Sequence, residues 1–523
     1  MFYLFGFLRR KAQFQQQEYF KEKKDTGGPK PELVSDMEKN IKQIQDLMDS
    51  PNDLIVRRLS FRNKGLCLIY FDGLADKETI NHYIIRTIQS ELKEDNIDHY
   101  STEKLLEKFE NEIVAIPEVK ITNTLDDVSL AILSGDTALM IDSEDKVLLI
   151  GTKGWESRSI SEPVTEALVR GPRDGFTENI QTNIVHLRRR IKDPNLHFES
   201  FKVGRRSKKD LIISYVAGIV HPKIVKEIRR RVQSIDMDDV LESGYVEQWI
   251  EDDFLSPFPQ IQNTERPDKV AAAILQGKVA IFLDGTPFVL LAPITFAETL
   301  QSPEDYYERW YIGSLIRGLR YLCAFIALFL PSLYVALVSF HPGMIPSKLA
   351  FSISSTRDGV PFPSLIEALF MEITMEILRE AGIRLPKPIG QTVGIVGGLV
   401  IGEAAVSAGI VSPIMVIVVA VTAIATFAIP FYSFAITIRM LRFFFLIVAG
   451  FFGFYGIILA YIMINIHMAN LKSVGVPYTT PFAPTFYSDW KDLVFRAPLT
   501  FFRKRPHYLE PEDESRMKKE EGQ

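Results

Sequence analysis

The chain has 523 residues and a formal net charge of −5 at pH 7, which gives no electrostatic basis for a nucleic-acid partner. Its length allows roughly two to four domains. The two cysteines, Cys67 and Cys323, lie in a candidate strand and a candidate membrane span, so neither a disulfide framework nor a zinc site is expected. Residues 1–318 have the composition of a soluble, charged protein, whereas residues 319–466 are strongly apolar. We therefore expect an α+β cytoplasmic domain followed by an α-helical transmembrane domain.

The first 49 residues are expected to form a flexible tail. The apolar run Phe2–Leu8 is short for the core of a signal peptide, and no small-residue cleavage site follows it. Beyond the tail, residues 50–155 and 205–300 are predicted to form two α/β subdomains. A connecting helical segment, residues 156–204, is predicted between them.

An internal repeat relates the two subdomains. Val128–Asp142 reads VSLAILSGDTALMID and Val270–Asp284 reads VAAAILQGKVAIFLD, with seven of fifteen positions identical. Each segment has the pattern of a helix end, a glycine stop and a strand. A second apolar strand follows in each copy, at Lys146–Thr152 and Pro287–Pro293. The sequence therefore predicts two related α/β subdomains.

The soluble half has no recognisable catalytic, cofactor-binding or metal-binding motif. There is no phosphate loop and no nucleophile elbow, and the glycines at 394–402 do not follow a strand, which excludes a dinucleotide fingerprint. The histidines are scattered, and both His221 and His341 precede proline in candidate loops. We expect a protein that is not an enzyme and carries no cofactor or metal.

The apolar half is predicted to contain four or five transmembrane helices within residues 321–466. A juxtamembrane helix at 301–320 is expected before it, and a C-terminal tail at 467–523 after it, with its charged end from Glu510 disordered. Runs of about 20 apolar residues are long enough to cross a hydrocarbon core of about 30 Å. Four such runs are Tyr321–Phe340, Val393–Val411, Pro413–Tyr432 and Phe443–Ile466.

A fifth segment, Pro363–Glu380, is helical in pattern but charged. Its glutamates Glu372, Glu376 and Glu380 are spaced four residues apart and share one helical face. Because a charge at mid-bilayer costs about 2.5–3.5 kcal/mol, this acidic face favours a re-entrant or interfacial amphipathic helix. A fifth span that faces protein or water is the alternative.

The number of spans decides the side on which the C-terminus lies. Arg317 and Arg320 precede the first span, so the N-terminal domain is predicted to be cytoplasmic. Four spans would return the C-terminus to the same side, and five would not. The positive charges of Arg439 and Arg442 agree with the five-span arrangement, whereas those of residues 503–505 agree with the four-span one.

One carboxylate, Glu403, lies inside the glycine-rich span Val393–Val411. On a helix, small residues form one stripe that would let another helix approach closely: Gly394, Gly398, Gly402 and Gly409, together with Ala405. The opposite side carries the candidate pore-lining residues Val396, Leu399, Glu403 and Ser407.

Several copies of this helix around an axis would form a ring of Glu403 carboxylates and a ring of Leu399 side chains. Carboxylate rings favour cations, and apolar constrictions gate by dewetting, so a cation pore is one interpretation. In another, Glu403 is protonated or paired with Arg439 or Lys387 and only stabilises the fold. A proton relay or transporter is a third, although the membrane half has no internal repeat.

Long stretches of the chain resemble a known family over about residues 50–500. They are EPVTEALVRGPRDGFTENIQTNI from Glu162, SPFPQIQNTERPDKV from Ser256, SPEDYYERW from Ser302, LVSFHPG from Leu337, FYGIILAYI from Phe454 and VPFPSLIEALFMEITMEILREAGIRLPKPIGQTVGIVGGLVIGEAAV from Val360. Together they resemble the A subunit of GerA-type spore germination receptors.

This resemblance implies a multi-pass protein of the spore inner membrane whose large N-terminal domain faces the spore core. It implies a transporter-like B subunit and a lipoprotein C subunit as partners, and self-association into a ring with a central conducting path. The complex would respond to nutrients and start the release of monovalent cations. Alternatives within this framework are a scaffold whose partner moves the ions and a sporulation-stage paralogue with a similar channel role.

Overall fold

The computed structural model of the chain describes most of its length. The described residues are 33–48, 51, 53–61, 64–94, 116, 118–154, 162–163, 165–384, 398 and 400–517.

The first subdomain is a five-stranded antiparallel sheet with the strand order β1-β2-β4-β5-β3. Its helices cover both faces of the sheet. The strands are β1 (Leu54–Phe61), β2 (Lys64–Phe71), β3 (Val119–Thr122), β4 (Thr137–Ile141) and β5 (Val147–Ile150). The helices are α1 (Met37–Leu47), α2 (Lys77–Thr79), α3 (Arg86–Glu94) and α4 (Leu125–Leu133), with a π-helical turn at Ile80–Ile85 between α2 and α3.

The second subdomain repeats this strand order as β6-β7-β9-β10-β8. Its strands are β6 (Leu196–Val203), β7 (Lys209–Val216), β8 (Gln262–Thr264), β9 (Val279–Leu283) and β10 (Val289–Ala292). Its helices are α5 (Ile180–Arg190), α6 (Pro222–Gln233), α7 (Ser243–Ile250) and α8 (Pro267–Ile274). The two halves of the sequence repeat thus fold into two sheets of the same order.

Strand β9 explains why the repeat is so apolar. All five of its residues are buried. Ile281 and Leu283 pack into one hydrophobic cluster with α6 and α7, whereas Ala280 and Phe282 pack into another with α5 and α8. Since side chains alternate across a strand, a sheet covered on both faces needs an unbroken apolar run.

Two boundaries of the soluble domain differ from the prediction. Helix α1 lies inside the expected tail, and its buried Met37, Ile41 and Ile44 pack on the first sheet. Strand β6 lies inside the expected connecting helical segment and pairs along its whole length with β7. Both elements were missed because each buries only one face and has charged residues on the other.

The helical half begins with α9 (Glu304–Tyr307) and α10 (Trp310–Phe340), so the predicted juxtamembrane helix and first span are one continuous helix. The remaining helices are α11 (Ser347–Arg357), α12 (Ser364–Arg384), α13 (residues 400–407), α14 (Pro413–Phe427) and α15 (Tyr432–Asn470). By length and composition, α10 and α15 are apolar enough to cross a membrane, with mean hydropathies of 2.3 and 2.4.

Helix α15 is a hairpin rather than one rod, because its backbone leaves the helical region at Gly453 (φ 59°, ψ −141°). Phe329 of α10 contacts the rings of both Phe445 (4.9 Å) and Tyr461 (6.0 Å), which lie on opposite sides of Gly453 in the sequence. We call residues 432–452 and 454–470 the two arms of α15. The predicted single span Phe443–Ile466 straddles this turn.

Both arms of α15 return to the soluble domain. Thr437 Oγ1 on the first arm donates to the Pro257 carbonyl oxygen. His467 Nε2 on the second arm lies 2.8 Å from Ser256 Oγ. The turn at Gly453 is at the other end of the bundle, beside Phe340 at the end of α10. We call this the far end.

The other helices alternate between the same two ends. Ser339 and Ser364 are hydrogen-bonded at the far end, where α10 ends and α12 begins. Glu367, one turn into α12, accepts from the backbone N–H of Ser412, just before α14. Helix α12 therefore runs toward the soluble domain, α13 leads to the far end, and α14 returns.

The expected C-terminal tail is a folded segment on the second subdomain. A short pair of strands, Lys472–Ser473 and Val476–Pro477, begins it, and Ser473 Oγ accepts from the backbone N–H of Ile294 at 2.9 Å. Near the end of the chain, the Glu512 backbone N–H donates to the Ile219 carbonyl oxygen at 3.0 Å. The soluble domain and the C-terminal segment therefore lie at one end of the helical bundle.

Candidate functional site

Helix α13 has one exposed face, which carries its polar residues, and one packed face. Glu403 and Ser407 are exposed, whereas Gly402 and Ala405 are buried. A Cβ on Gly402 would lie 3.5 Å from Val416 Cγ1 of α14. This distance is an ordinary van der Waals contact, so Gly402 lies on the face that packs against α14, and Glu403 is left on the uncovered side of the helix.

The other candidate glycines do not form a continuous packing stripe with Gly402. At Gly398, a Cβ would meet no atom within 4 Å. Gly409 lies beyond the helix, with φ +68°, and a Cβ there would be 3.2 Å from the Gly359 carbonyl oxygen. Gly409 therefore ends α13 in a left-handed turn instead of lying on its packing face. Gly394, Val396 and Leu399 lie outside the described residues.

Glu403 forms no ion pair with any residue that the structure describes. Arg439, one partner considered for it, instead lies with its Nε 3.9 Å from Glu376 Oε1. Lys387, the other, lies outside the described residues.

The acidic face of α12 is occupied by arginines. Glu372 is buried, and its Oε2 lies 2.8 Å from Arg442 Nη2 on α15. Glu376 Oε1 accepts from Arg379 Nη1 at 2.9 Å and from Arg442 Nη2 at 3.3 Å. Helix α12 thus packs as a member of the bundle rather than lying alone as an interfacial helix. Buried carboxylates need such partners because desolvation of an unpaired charge is costly.

Glu380 and Glu367 differ from that central pair. Glu380 lies near the end of α12, where its exposed carboxylate accepts from Arg384 at 2.6 Å. Glu367, which was not singled out from the sequence, is buried and accepts from Arg357 Nη2 at 2.8 Å and from the Ser412 backbone N–H at 2.9 Å. The only feature of the sequence that could have indicated a structural role for Glu367 is its position one turn into α12.

A buried charged cluster ties α9, α10 and the C-terminal segment together. Asp305 accepts from Arg317 Nε at 3.0 Å and from Arg320 Nη1 at 2.7 Å. Arg317 Nη1 also donates to Asp492 Oδ1 at 2.8 Å. Arg496 Nη1 donates to the Asp305 carbonyl oxygen at 2.6 Å. We call these five residues the Asp305 cluster.

Tyr306 extends this cluster by donating its hydroxyl to Asp492 Oδ2 at 2.6 Å. Burial, followed by the neighbouring Asp492 carboxylate, raises the pKa of the Tyr306 phenol well above its ordinary value, so it stays a donor. Sequence reasoning used Arg317 and Arg320 only as markers of orientation. Their i, i+3 spacing puts them on one helical face, but Asp492 is too distant in sequence to be recognised as a partner.

These geometries separate two kinds of charged group. Glu372, Glu376, Glu367 and Asp305 each hold two elements together and are already paired. Glu403 is the carboxylate of α13 and lies on an uncovered face. Among the described residues, no group of three or more His, Cys, Asp or Glu side chains could hold a metal ion.

Comparisons with known proteins cover nearly the whole chain. The family model described as Bacillus/Clostridium GerA spore germination protein matches residues 42–508. Spore germination protein GerLA of Bacillus cereus is 50% identical over 491 residues, which is 94% of this chain and 99% of that protein. Spore germination protein KA of Bacillus subtilis is 44% identical, over 94% of this chain and 90% of that protein.

Two further matches concern a membrane protein and a solved structure. The uncharacterized membrane protein YfkQ of Bacillus subtilis is 44% identical, over 91% of both chains. The crystal structure of the N-terminal domain of the A subunit of the Bacillus megaterium germinant receptor GerK3 matches with 35% identity and a TM-score of 0.42, covering 51% of this chain and 99% of that one. The family-model match over residues 42–508 and the identity to GerLA and KA show that this chain belongs to the GerA spore germination protein family, among its A subunits.

Proposed function

We propose that this chain is the membrane-embedded A subunit of a spore germinant receptor and that several copies form a cation-conducting path lined by α13. It acts with a transporter-like B subunit and a lipoprotein C subunit in the spore inner membrane, with the soluble domain facing the spore core. The observation that carries the conducting role is the exposed carboxylate of Glu403 on an otherwise apolar helix.

The membrane placement follows from how the helices alternate. Helices α10, α12 and α14 and the two arms of α15 run between the soluble domain and the far end, and α13 leads into the far end. We infer that all six segments cross the bilayer. An even number of crossings agrees with the contact between the C-terminal segment and the second subdomain.

The pore assignment rests on the two faces of α13. The face with Gly402 and Ala405 is packed within the chain, whereas the face with Glu403 and Ser407 is not covered. A lipid-facing carboxylate costs about 2.5–3.5 kcal/mol, so intramembrane carboxylates usually face a bundle interior or water. Self-association around an axis would provide both and would form the carboxylate ring that favours cations.

The test is cation selectivity and leak in bacterial cells that express the chain at matched membrane levels. Leu399→Ala should open a potassium leak by removing an apolar constriction, and adding Glu403→Gln should weaken that leak. The matched control is Glu380→Gln, which removes an exposed carboxylate already paired with Arg384 and should leave the leak unchanged. The assignment would be refuted if the Leu399→Ala variant is inserted and oligomeric but causes no potassium leak.

A scaffold role is the second candidate, and the Asp305 cluster favours it. This cluster fixes α9 and the C-terminal segment to the base of α10, as expected of a chain that organises partners. In that case Glu403→Gln would alter assembly of the complex and leave ion selectivity unchanged. Co-purification of the B and C subunits with the variant, measured beside selectivity, separates the two roles.

A further inference from the structure

Three guanidinium groups converge near the end of the bundle that adjoins the soluble domain. Around Glu376 Oε1 lie Arg379 Nη1 at 2.9 Å, Arg442 Nη2 at 3.3 Å and Arg439 Nε at 3.9 Å. Glu372 supplies a second carboxylate, 2.8 Å from Arg442. Three positive charges thus face two negative ones, which leaves one charge uncompensated within this group. We call Arg379, Arg439 and Arg442 the arginine cluster.

The cluster is also incompletely hydrogen-bonded within the described residues, on Glu372 Oε1 as well as on the arginines. Arg442 is 2% exposed, yet its Nε and Nη1 have no hydrogen-bond partner among the described residues. The Arg439 side chain is 12% exposed and donates no hydrogen bond to any residue in the described part of the chain. A buried donor left without an acceptor costs about 1–3 kcal/mol, and more when it is charged. The surplus positive charge and the unbonded guanidinium of Arg439, which is partly exposed, therefore leave room for an external anionic acceptor.

The height of the cluster in the bundle indicates where that acceptor comes from. Thr437, which contacts Pro257 of the soluble domain, is five residues before Arg442 and therefore about 7.5 Å from it along the helix. The cluster is thus just inside the bundle, whereas Gly453 marks the far end. At this height a membrane protein meets the phosphates of one leaflet.

Two exposed aromatic rings flank the cluster. The Arg379 guanidinium lies 5.5 Å from the ring centre of Phe427, which is 75% exposed. The Arg439 guanidinium lies 5.9 Å from the ring centre of Tyr432, which is 56% exposed. Aromatic rings at this level typically lie among lipid headgroups.

We propose that the arginine cluster binds the phosphate of an anionic phospholipid from the leaflet next to the soluble domain. Phosphate oxygens accept the forked N–H pairs of guanidinium groups, and the lipid's net negative charge compensates the surplus positive charge. Inorganic phosphate offers the same oxygens, but the exposed Phe427 and Tyr432 rings favour a ligand with an apolar part. This inference rests on the membrane placement proposed above and not on the pore.

The experiment compares lipid binding by the full-length chain and its variants in nanodiscs. The chain is purified in detergent, reconstituted with equal amounts of phosphatidylglycerol and phosphatidylcholine, and the lipids retained after dilution are measured by native mass spectrometry. Arg439→Gln removes a guanidinium that has no hydrogen bond in the described part of the chain, so the fold should tolerate it. The matched control is Arg384→Gln, which removes an arginine that is 77% exposed and paired with Glu380.

Wild type and Arg384→Gln should retain phosphatidylglycerol in preference to phosphatidylcholine. In Arg439→Gln that preference should fall about fivefold, the contribution of one basic side chain near an anionic surface. Arg439→Lys keeps the charge but loses the forked pair of N–H donors. Its preference for phosphatidylglycerol should lie between those of wild type and Arg439→Gln, and it replaces the glutamine variant if that variant does not fold.

Equal lipid preference in Arg439→Gln and wild type would overturn the proposal. The proposal would also be overturned if inorganic phosphate displaced the retained phosphatidylglycerol from the purified chain, since the site would then take a free anion. Protease protection of the reconstituted chain reports membrane insertion separately. If the proposed membrane placement is wrong, the wild-type chain will not be inserted. If only the proposed lipid site is wrong, the chain will be inserted but will show no dependence of lipid preference on Arg439.

Discussion

The Asp305 cluster provides the sharpest prediction about how the C-terminal segment is held at the base of the helical bundle. The Asp305 side chain is 1% exposed and bridges Arg317 and Arg320. In Asp305→Asn the side chain keeps its shape, and its oxygen can still accept from the Ser302 backbone N–H. The substitution removes the negative charge that both arginines face.

The expected cost is about 3 kcal/mol. Removing one member of a buried ion pair costs about 3–5 kcal/mol because the remaining charge is left uncompensated. We take the lower end, since Asp492 still accepts from Arg317 at 2.8 Å. The state in which the cluster has opened and the C-terminal segment is released from α9 and α10 should then be populated about a hundredfold more often.

Limited proteolysis of the full-length chain in detergent measures this population. Cleavage within residues 498–517 tracks the detached state when opening is fast relative to cleavage. The control is Glu380→Gln, which breaks an exposed pair with Arg384 and should change stability by at most about 1 kcal/mol. A cleavage rate within twofold of wild type for folded Asp305→Asn would refute the reasoning.

Three further predictions concern a turn, a carboxyl group and a thiol. Gly453→Ala should destabilise the chain by about 1–3 kcal/mol in thermal unfolding, because its backbone favours glycine and the new Cβ would lie 3.0 Å from Phe340; Gly318→Ala, with open space around it, is the control and should be neutral. Burial and the nearby Glu251 raise the pKa of Glu247 from 4.5 to about 8. The resulting stabilisation is complete below about pH 4.5 and is lost as the pH rises to about 8, so Glu247→Gln should remove this pH dependence in urea unfolding, which amounts to at most about 5 kcal/mol. Burial also raises the pKa of the Cys67 thiol to about 12, so in a Cys323→Ala background a maleimide should label the chain at neutral pH only after denaturation.

In the soluble half, the pattern of apolar residues predicted the repeated helices and strands correctly but not the boundaries of the subdomains. The repeat at Val128–Asp142 and Val270–Asp284 is visible because β4 and β9 are buried on both faces, and only apolar residues satisfy that environment. Helix α1 and strand β6 bury one face each, so their sequences look like those of a polar tail and a linker. Their place in the sheets depends on packing and strand pairing that the local pattern does not encode.

In the helical half, length and hydropathy identified apolar segments but not where they turn. Phe443–Ile466 is continuous in hydropathy, and the reversal at Gly453 is invisible because glycine is also common inside membrane helices. The reversal is evident only from contacts, such as those of Phe329 with both Phe445 and Tyr461. It also settles which end of the bundle the C-terminal segment joins.

By itself, the sequence determined the family of this protein, its division into a soluble and an apolar half, the duplicated subdomains and the position of Glu403 on α13. These features depend on residue type and local period, which the chain carries directly. Tertiary structure alone decided which charges are paired. From sequence alone, the acidic face of α12 indicates an interfacial helix or a span facing protein or water, and Arg317 indicates only orientation, because their partners Arg442 and Asp492 are far away in sequence. The environment of a carboxylate depends on what the fold brings within a few ångströms of it, and no local pattern contains that information.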